Sequence, residues 1–179
     1  MTRALEPSPS AMHRLATLAD TDAVYSIYMH EDVVPYLGYD PMPRTDFVAV
    51  MEQLVGSRTF FVVEREGRIQ GFYRTVRQEG RARHVASLGP LAVAPEARGS
   101  GLARSMLETA IARLHAEGVV RVELMLEADN PRALKFYRKL GFELEGTLRC
   151  AYKRSSDPHY MDELLMAKLL PPCADDGGA

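Results

Sequence analysis

The sequence predicts one α/β domain built on a single sheet. Three observations lead there. Segments with the two-residue period of strands and segments with the 3.6-residue period of helices follow one another in the order β-α-α-β-β-β-α-β-α-β-β. The chain has 179 residues, 46% hydrophobic and 26% charged, which suffices for one real core and is ordinary for a globular chain. Finally, an apolar strand ending at Val93 passes through Pro95 into a turn with Arg98, Gly99 and Gly101, and an amphipathic helix follows.

Each element has a local reason. His13–Leu18 reads as a first strand, and Asp20 is suited to cap a helix to about His30 whose stripe is Ala23, Val24, Ile27 and Tyr28. Pro35, Gly38, Pro41 and Pro43 make 31–44 a loop. Thr45 is the expected cap of a second helix to about Val55, with Phe47, Val50, Met51 and Leu54 at helical spacing. Thr59–Glu64 and Ile69–Gln78 form a hairpin across Glu66-Gly67-Arg68. His84–Val93 is the next strand, interrupted by Gly89-Pro90, since a proline removes a ladder donor. The helix from about Gly101 to Glu117 buries Leu102, Met106, Leu107, Ala110, Ile111 and Leu114 and stops at Gly118. In the strand 120–126, Val120, Val122, Leu124 and Leu126 alternate with Arg121, Glu123 and Met125. Pro131 opens a helix that ends at Gly141, and strands 142–153 and 159–169 flank Ser155-Ser156-Asp157-Pro158. The two ends, 1–11 and 171–179, are expected to be disordered tails around a 12–170 domain.

Composition narrows the function. Lys plus Arg number 22 and Asp plus Glu 24, a net charge of −2, with no basic stripe, so nucleic acid is not an expected partner. No apolar run approaches a membrane span, and no signal-peptide core is visible, so a cytoplasmic protein without a membrane partner is expected. Cys150 and Cys173 make no disulfide framework, and no His or Cys cluster has metal-ligand spacing, so no metal is expected.

The turn at 98–103 is the most legible chemical feature. A row of backbone N–H groups and the positive end of a helix dipole converge there, a natural phosphate site. It is not a P-loop, since G-x-x-x-x-G-K-[ST] is missing, and it is not G-x-G-x-x-G, since Arg104 stands at the last position. An ordinary strand-to-helix connection would also read this way. Two blocks decide between these. Val93-Ala94-Pro95 leads to Arg98-Gly99-Ser100-Gly101-Leu102-Ala103, and Asn130-Pro131-Arg132-Ala133-Leu134-Lys135-Phe136-Tyr137-Arg138-Lys139-Leu140-Gly141-Phe142 follows. Together they resemble the Q/R-x-x-G-x-G/A and N-x-x-A-x-x-x-Y-x-x-x-G-F signatures of the GNAT superfamily, the acyl-CoA-dependent N-acyltransferases. Element order agrees from about Leu15 to Leu169. Local runs at His84–Gly89, Glu145–Thr147 and His159–Asp162 are similar to the bacterial L-amino-acid N-acyltransferase branch.

The resemblance implies a mixed, mostly antiparallel sheet of about seven strands flanked by four helices. It implies acetyl-CoA as co-substrate, a small-molecule amine as acceptor, and attack within a ternary complex. It leaves a homodimer open. By the same resemblance, Arg98, Gly99, Ser100, Gly101, Leu102 and Ala103 would hold pyrophosphate, Leu91 and Val93 would pair with the pantetheine arm, and Asn130 would touch that arm. From its residues alone, Asn130 is equally a helix cap ahead of Pro131. Leu91 N–H is the expected oxyanion donor, because Pro90 has none; Gly89-Pro90 read alone is equally a simple kink. Tyr137 would protonate the leaving thiolate, although beside Phe136 it also reads as a core aromatic. His84, Glu123 and Glu127 are the candidates for taking the amine proton. His30, Glu31, Tyr36, Tyr39, Tyr152, Tyr160 and Asp162 are expected around the acceptor. A protein N-terminal acetyltransferase and an idle acyl-CoA-binding sensor remain alternatives.

Overall fold

In the computed structural model, residues 11–172 are described. The expected tails and Cys173 lie almost wholly outside that range. Within it the order is β1 (Met12–Leu15), α1 (Thr21–Tyr28), α2 (Arg44–Gly56), β2 (Phe60–Arg65), β3 (Arg68–Arg77), β4 (Val85–Val93), α3 (Leu102–Ala116), β5 (Arg121–Glu127), α4 (Pro131–Lys139), β6 (Glu143–Tyr152) and β7 (Met161–Leu169). The seven strands form one sheet in the order β1-β2-β3-β4-β5-β7-β6. Only β4 and β5 run parallel, and α3 is the crossover that a parallel pair requires.

Strand ends shift by a residue or two, β7 for example starting at Met161 rather than 159, and three N-terminal boundaries differ for a local reason. The first strand stops at Leu15, and 18–20 form a single 3-10 turn. Asp20 turns its carboxylate back to the Thr17 N–H (2.8 Å) and to both Arg14 Nη atoms (2.8 Å each) rather than capping α1. That helix ends at Tyr28, two residues early. Thr45 is already inside α2, whose cap position is Pro43, and its hydroxyl bonds Asp46 (3.0 Å).

Alternation along the strands assigns the two faces of the sheet. Phe60 and Phe72 point to the face covered by α1 and α2, where Tyr28 stacks on Phe72 (5.4 Å) and touches Phe47 (5.3 Å). Val122, Leu124 and Leu126 are buried on the other face with Leu107 and Leu114 of α3 and Tyr137 of α4. Arg121, Glu123, Met125 and Glu127 therefore look to the α1/α2 side. On that side Met125 is 57% exposed.

Candidate active site

The site begins where the sheet fails to close. β4 and β5 pair from Val85↔Arg121 to Leu88↔Leu124 and then part. The opening is a cleft of about 1130 Å³, with Gly89–Val93 on one wall and Met125–Glu127 on the other. At its edge β4 bulges: Thr75 faces Leu88 and Tyr73 faces Leu91, so three steps of β4 match two of β3. Gly89-Pro90 is the site of this irregularity, where the sequence placed it.

The bulge decides which amides face the cleft. Gln78 N–H donates to the Val85 carbonyl (2.9 Å), and Ala94 N–H donates to the Gln70 carbonyl (2.8 Å). Antiparallel ladders alternate, so Ser87 and Ala92 direct their polar groups to β3 while Leu88, Leu91 and Val93 direct theirs away. In an unbulged strand, position 90 would follow Leu88 in facing the gap, and a proline has no N–H to present. The extra residue shifts the phase, so Leu91 and Val93 aim their N–H groups into the cleft.

The 98–103 turn closes one end. Gly99 (φ 77°) and Gly101 (φ 84°) are both left-handed, and Gly101 is the cap position of α3. A side chain at either would collide with nothing, so it is backbone conformation that calls for glycine. The Ser100 hydroxyl donates to the Ala97 carbonyl (2.7 Å) and pins the turn. Gly101 has no side chain to cap α3; Leu102 N–H makes a long bond to Ser100 Oγ (3.4 Å), and the next amides of the first turn, Ala103 and Arg104, are left for an anion. Arg98 does not extend to solvent: its Nη1 meets Asp32 Oδ2 at 2.8 Å and holds that carboxyl below its usual range.

Asn130 is the cap of α4, its Oδ1 accepting from Ala133 N–H at 3.0 Å, and it also lines the cleft. Tyr137 is 9% exposed, wedged edge-on between Phe136 and Phe142, and its ring borders the cleft from the α3/α4 side. Burial, with the nearby Glu127 charge, pushes its hydroxyl well above the ordinary tyrosine range.

Glu127 and Glu123 differ sharply. Burial is the main cause that pushes Glu127 up to about 7, and Glu163 adds to it. Glu163 stands directly across the β5–β7 ladder. Glu123 lines the cleft too, but it is tied to Arg121 (3.1 Å) and accepts from Ser87 (3.3 Å), so its charge is already matched. His84 is the residue the structure does not bring in: it is exposed in the turn before β4 and lies outside the cleft. Its carbonyl is engaged instead, by Val120 and Arg121 N–H.

Of the expected acceptor residues, Glu31 and Tyr36 line the cleft. Tyr39 packs near Tyr28 (6.1 Å), Asp162 accepts from Cys150 N–H (2.8 Å), His30 accepts from Asp32 N–H (3.2 Å), and Tyr160 is 65% exposed. Arg154, which the sequence did not single out, holds this end together. Its guanidinium grips Asp129 (2.8 and 3.1 Å) and donates to the Pro35 carbonyl (2.8 Å). It also lies over the rings of Tyr36 (5.6 Å) and Tyr152 (5.1 Å). Glu163 and Arg74 were likewise missed; both line the cleft. Only the strand register reveals Glu163, and only the bulge reveals Arg74. Among the described residues no group of His, Cys, Asp and Glu could hold a metal, and no helix is long and apolar enough to cross a membrane.

A splayed parallel strand pair, a bulged edge and a glycine turn capping a helix define an acyltransferase-type cleft. Residues 21–142 match the model of the Acetyltransferase (GNAT) family, and the chain belongs to that family of acetyltransferase enzymes. It is similar to a mycothiol acetyltransferase of Streptomyces griseus subsp. griseus, 38% identical over 84 residues, which is 46% of this chain and 26% of that protein. It is also similar to the mycothiol acetyltransferase of Arthrobacter sp., 37% identical over 105 residues, 56% of this chain and 32% of that one. The matches thus span about a quarter to a third of these curated relatives. Among solved structures, the ribosomal-protein-alanine N-acetyltransferase from Brucella melitensis superposes with a TM-score of 0.70 at 28% identity, covering 89% of this chain and 99% of that one. A phosphinothricin acetyltransferase from Sinorhizobium meliloti in complex with AcCoA shares the fold, with a TM-score of 0.69 at 23% identity, covering 89% and 88%.

Proposed function

We propose that the protein is an acetyl-CoA-dependent N-acetyltransferase acting on the primary amine of a small, amino-acid-like molecule within a ternary complex. The observation that carries this is the cleft itself: amides of Leu91 and Val93 point into it, Glu127 borders it from one face and Tyr137 from the other. The residues present fit the donor. The turn offers open amides and a helix N-terminus to the diphosphate, and the β4 edge offers unpaired amides to an extended amide-bearing arm. When bound, acetyl-CoA supplies a thioester-activated acetyl group.

Each residue then has one task. Glu127 removes a proton from the incoming ammonium, freeing the nitrogen lone pair to attack the acetyl carbonyl carbon. With its carboxyl near 7, it is ionised often enough to accept that proton at neutral pH. Leu91 N–H donates to the carbonyl oxygen as it gains negative charge. Tyr137 gives its proton to the sulfur as the carbon–sulfur bond breaks, its raised pKa keeping it protonated until then, and it is reprotonated by the second proton that the attacking nitrogen sheds on becoming a neutral amide. Asn130 keeps α4, and so Tyr137, in place through its cap.

The decisive experiment is CoA release from acetyl-CoA against amino acids, polyamines, aminoglycosides and short peptides. Turnover with small amines supports the reading. Turnover confined to peptides favours a protein N-terminal acetyltransferase, which the 28% identity to the Brucella enzyme makes the second reading. Acetyl-CoA binding with no turnover would leave an idle module.

A further inference from the structure

The cleft carries a cation that the chemistry above does not use. Arg74 is half-buried in its wall. Its Nε donates to Thr59 Oγ1 at 3.0 Å, and Thr59 is in turn held by Ser57 Oγ at 2.7 Å. No carboxylate among the described residues pairs with it. The other cleft arginines are placed differently. Arg98 is tied to Asp32 and Arg104 to Glu108, while Arg132 is exposed on the first turn of α4. A half-buried guanidinium without a carboxylate, with only its Nε engaged by Thr59, keeps donors suited to an anion.

Position says which anion. The Arg74 side chain lies against the bulge: its Cβ is 3.2 Å from where a side chain on Gly89 would begin. Arg74 faces Phe60 across the β2–β3 ladder, so it is on the α1/α2 face of the sheet. Glu127 and Glu163 are on that same face. A polar relay agrees with that phase, since Gln78, the residue just after β3, donates to Ser87 (3.1 Å) and Ser87 donates to Glu123 of β5 (3.3 Å). Burial raises the pKa of the Tyr28 hydroxyl, Tyr39 and Glu127 add to that rise, and Arg74 works against it. The 98–103 turn lies at the far end of β4, so Arg74 is not a second diphosphate contact.

We propose that Arg74 receives a carboxylate of the acceptor, making the acceptor a zwitterion of the α-amino-acid type whose ammonium faces Glu127 and Glu163. This rests on the acetyl-transfer reading and narrows its substrate. A cation on one wall and two carboxylates on the other complement a zwitterion and discriminate against a plain amine.

The test compares acceptors that differ only in the carboxylate: an α-amino acid, its amide and the decarboxylated amine. The wild type should prefer the acid by roughly 10- to 100-fold in kcat/KM, the range of one charge-assisted contact. Arg74→Gln should abolish that preference through the KM of the acid, with the KM of acetyl-CoA unchanged, and Arg74→Lys should restore part of it. Equal wild-type turnover of acid and amide, or a preference that survives Arg74→Gln, overturns the assignment while acetyl transfer stands. The wild-type comparison needs no variant and is immune to misfolding. If no amine is acetylated, the function itself fails. Calorimetry of the amino acid against the CoA-bound protein still reads the contact, and absence of binding overturns it.

Discussion

Glu127 and Glu163 stand directly opposite each other on β5 and β7. Ala128 N–H donates to the Asp162 carbonyl (3.0 Å), so the neighbouring 127/163 pair exchanges no backbone bonds and its side chains lie close. Like charges so placed oppose each other. Together with burial, which is the larger cause, this lifts Glu127 from 4.5 to about 7.

The first prediction follows from that shift. A carboxyl raised in the folded state adds stability that is fully present below its unfolded value near 4.5 and is lost as pH rises through about 7. Glu127→Gln should therefore stabilise the protein by roughly 1–3 kcal/mol at pH 8 and by almost nothing at pH 4. Denaturant melts at the two pH values check this. The same variant should erase a rising limb in kcat/KM with a midpoint near 7.

Tyr137→Phe keeps the ring packed between Phe136 and Phe142 but removes the proton donor. Turnover should fall by about 100-fold or more, within the range for a general acid. The affinity for acetyl-CoA should stay nearly constant. Unchanged turnover would return Tyr137 to a purely packing role.

Gly99→Ala and Gly101→Ala place a Cβ in open space but on a left-handed backbone. Each should cost about 1–2 kcal/mol of stability and raise the KM of acetyl-CoA without altering acceptor preference. Thermal melts and steady-state kinetics separate the two effects. A variant with wild-type KM would show that the turn does not hold the diphosphate.

Arg154→Lys keeps a charge near Asp129 but loses the paired contacts and the Pro35 carbonyl. The acceptor KM should rise several-fold, and the donor KM should not. Removing the guanidinium also removes a charge that favours ionised Glu127, so the activity midpoint should move upward in Arg154→Met. A pH–rate profile reads this directly.

Much of this molecule is written locally. The helical stripe of α3, the alternation of β5 and the glycine stop at 118 follow from residue spacing, because each element must bury one face. Gly99 and Gly101 announce the turn because only glycine adopts that backbone easily. Asn130 and Tyr137 were legible as parts of a short motif on one helix. Gly89-Pro90 marked the bulge because proline cannot serve a ladder. What the sequence by itself determined was the set of elements, the family blocks and the glycine turn before α3, all features whose partners lie within a few positions.

The make-up of the cleft wall around Glu127 depends on the tertiary structure. His84 and Glu123 were as eligible as Glu127 until the sheet left the first exposed, matched the second with Arg121 and partly buried the third opposite Glu163. Arg154 reaches Pro35 across 119 positions of chain. Arg74 gains its meaning from a bulge in the neighbouring strand. Burial and charge pairing depend on which strands become neighbours, and that is a property of the closed sheet rather than of any local run of residues.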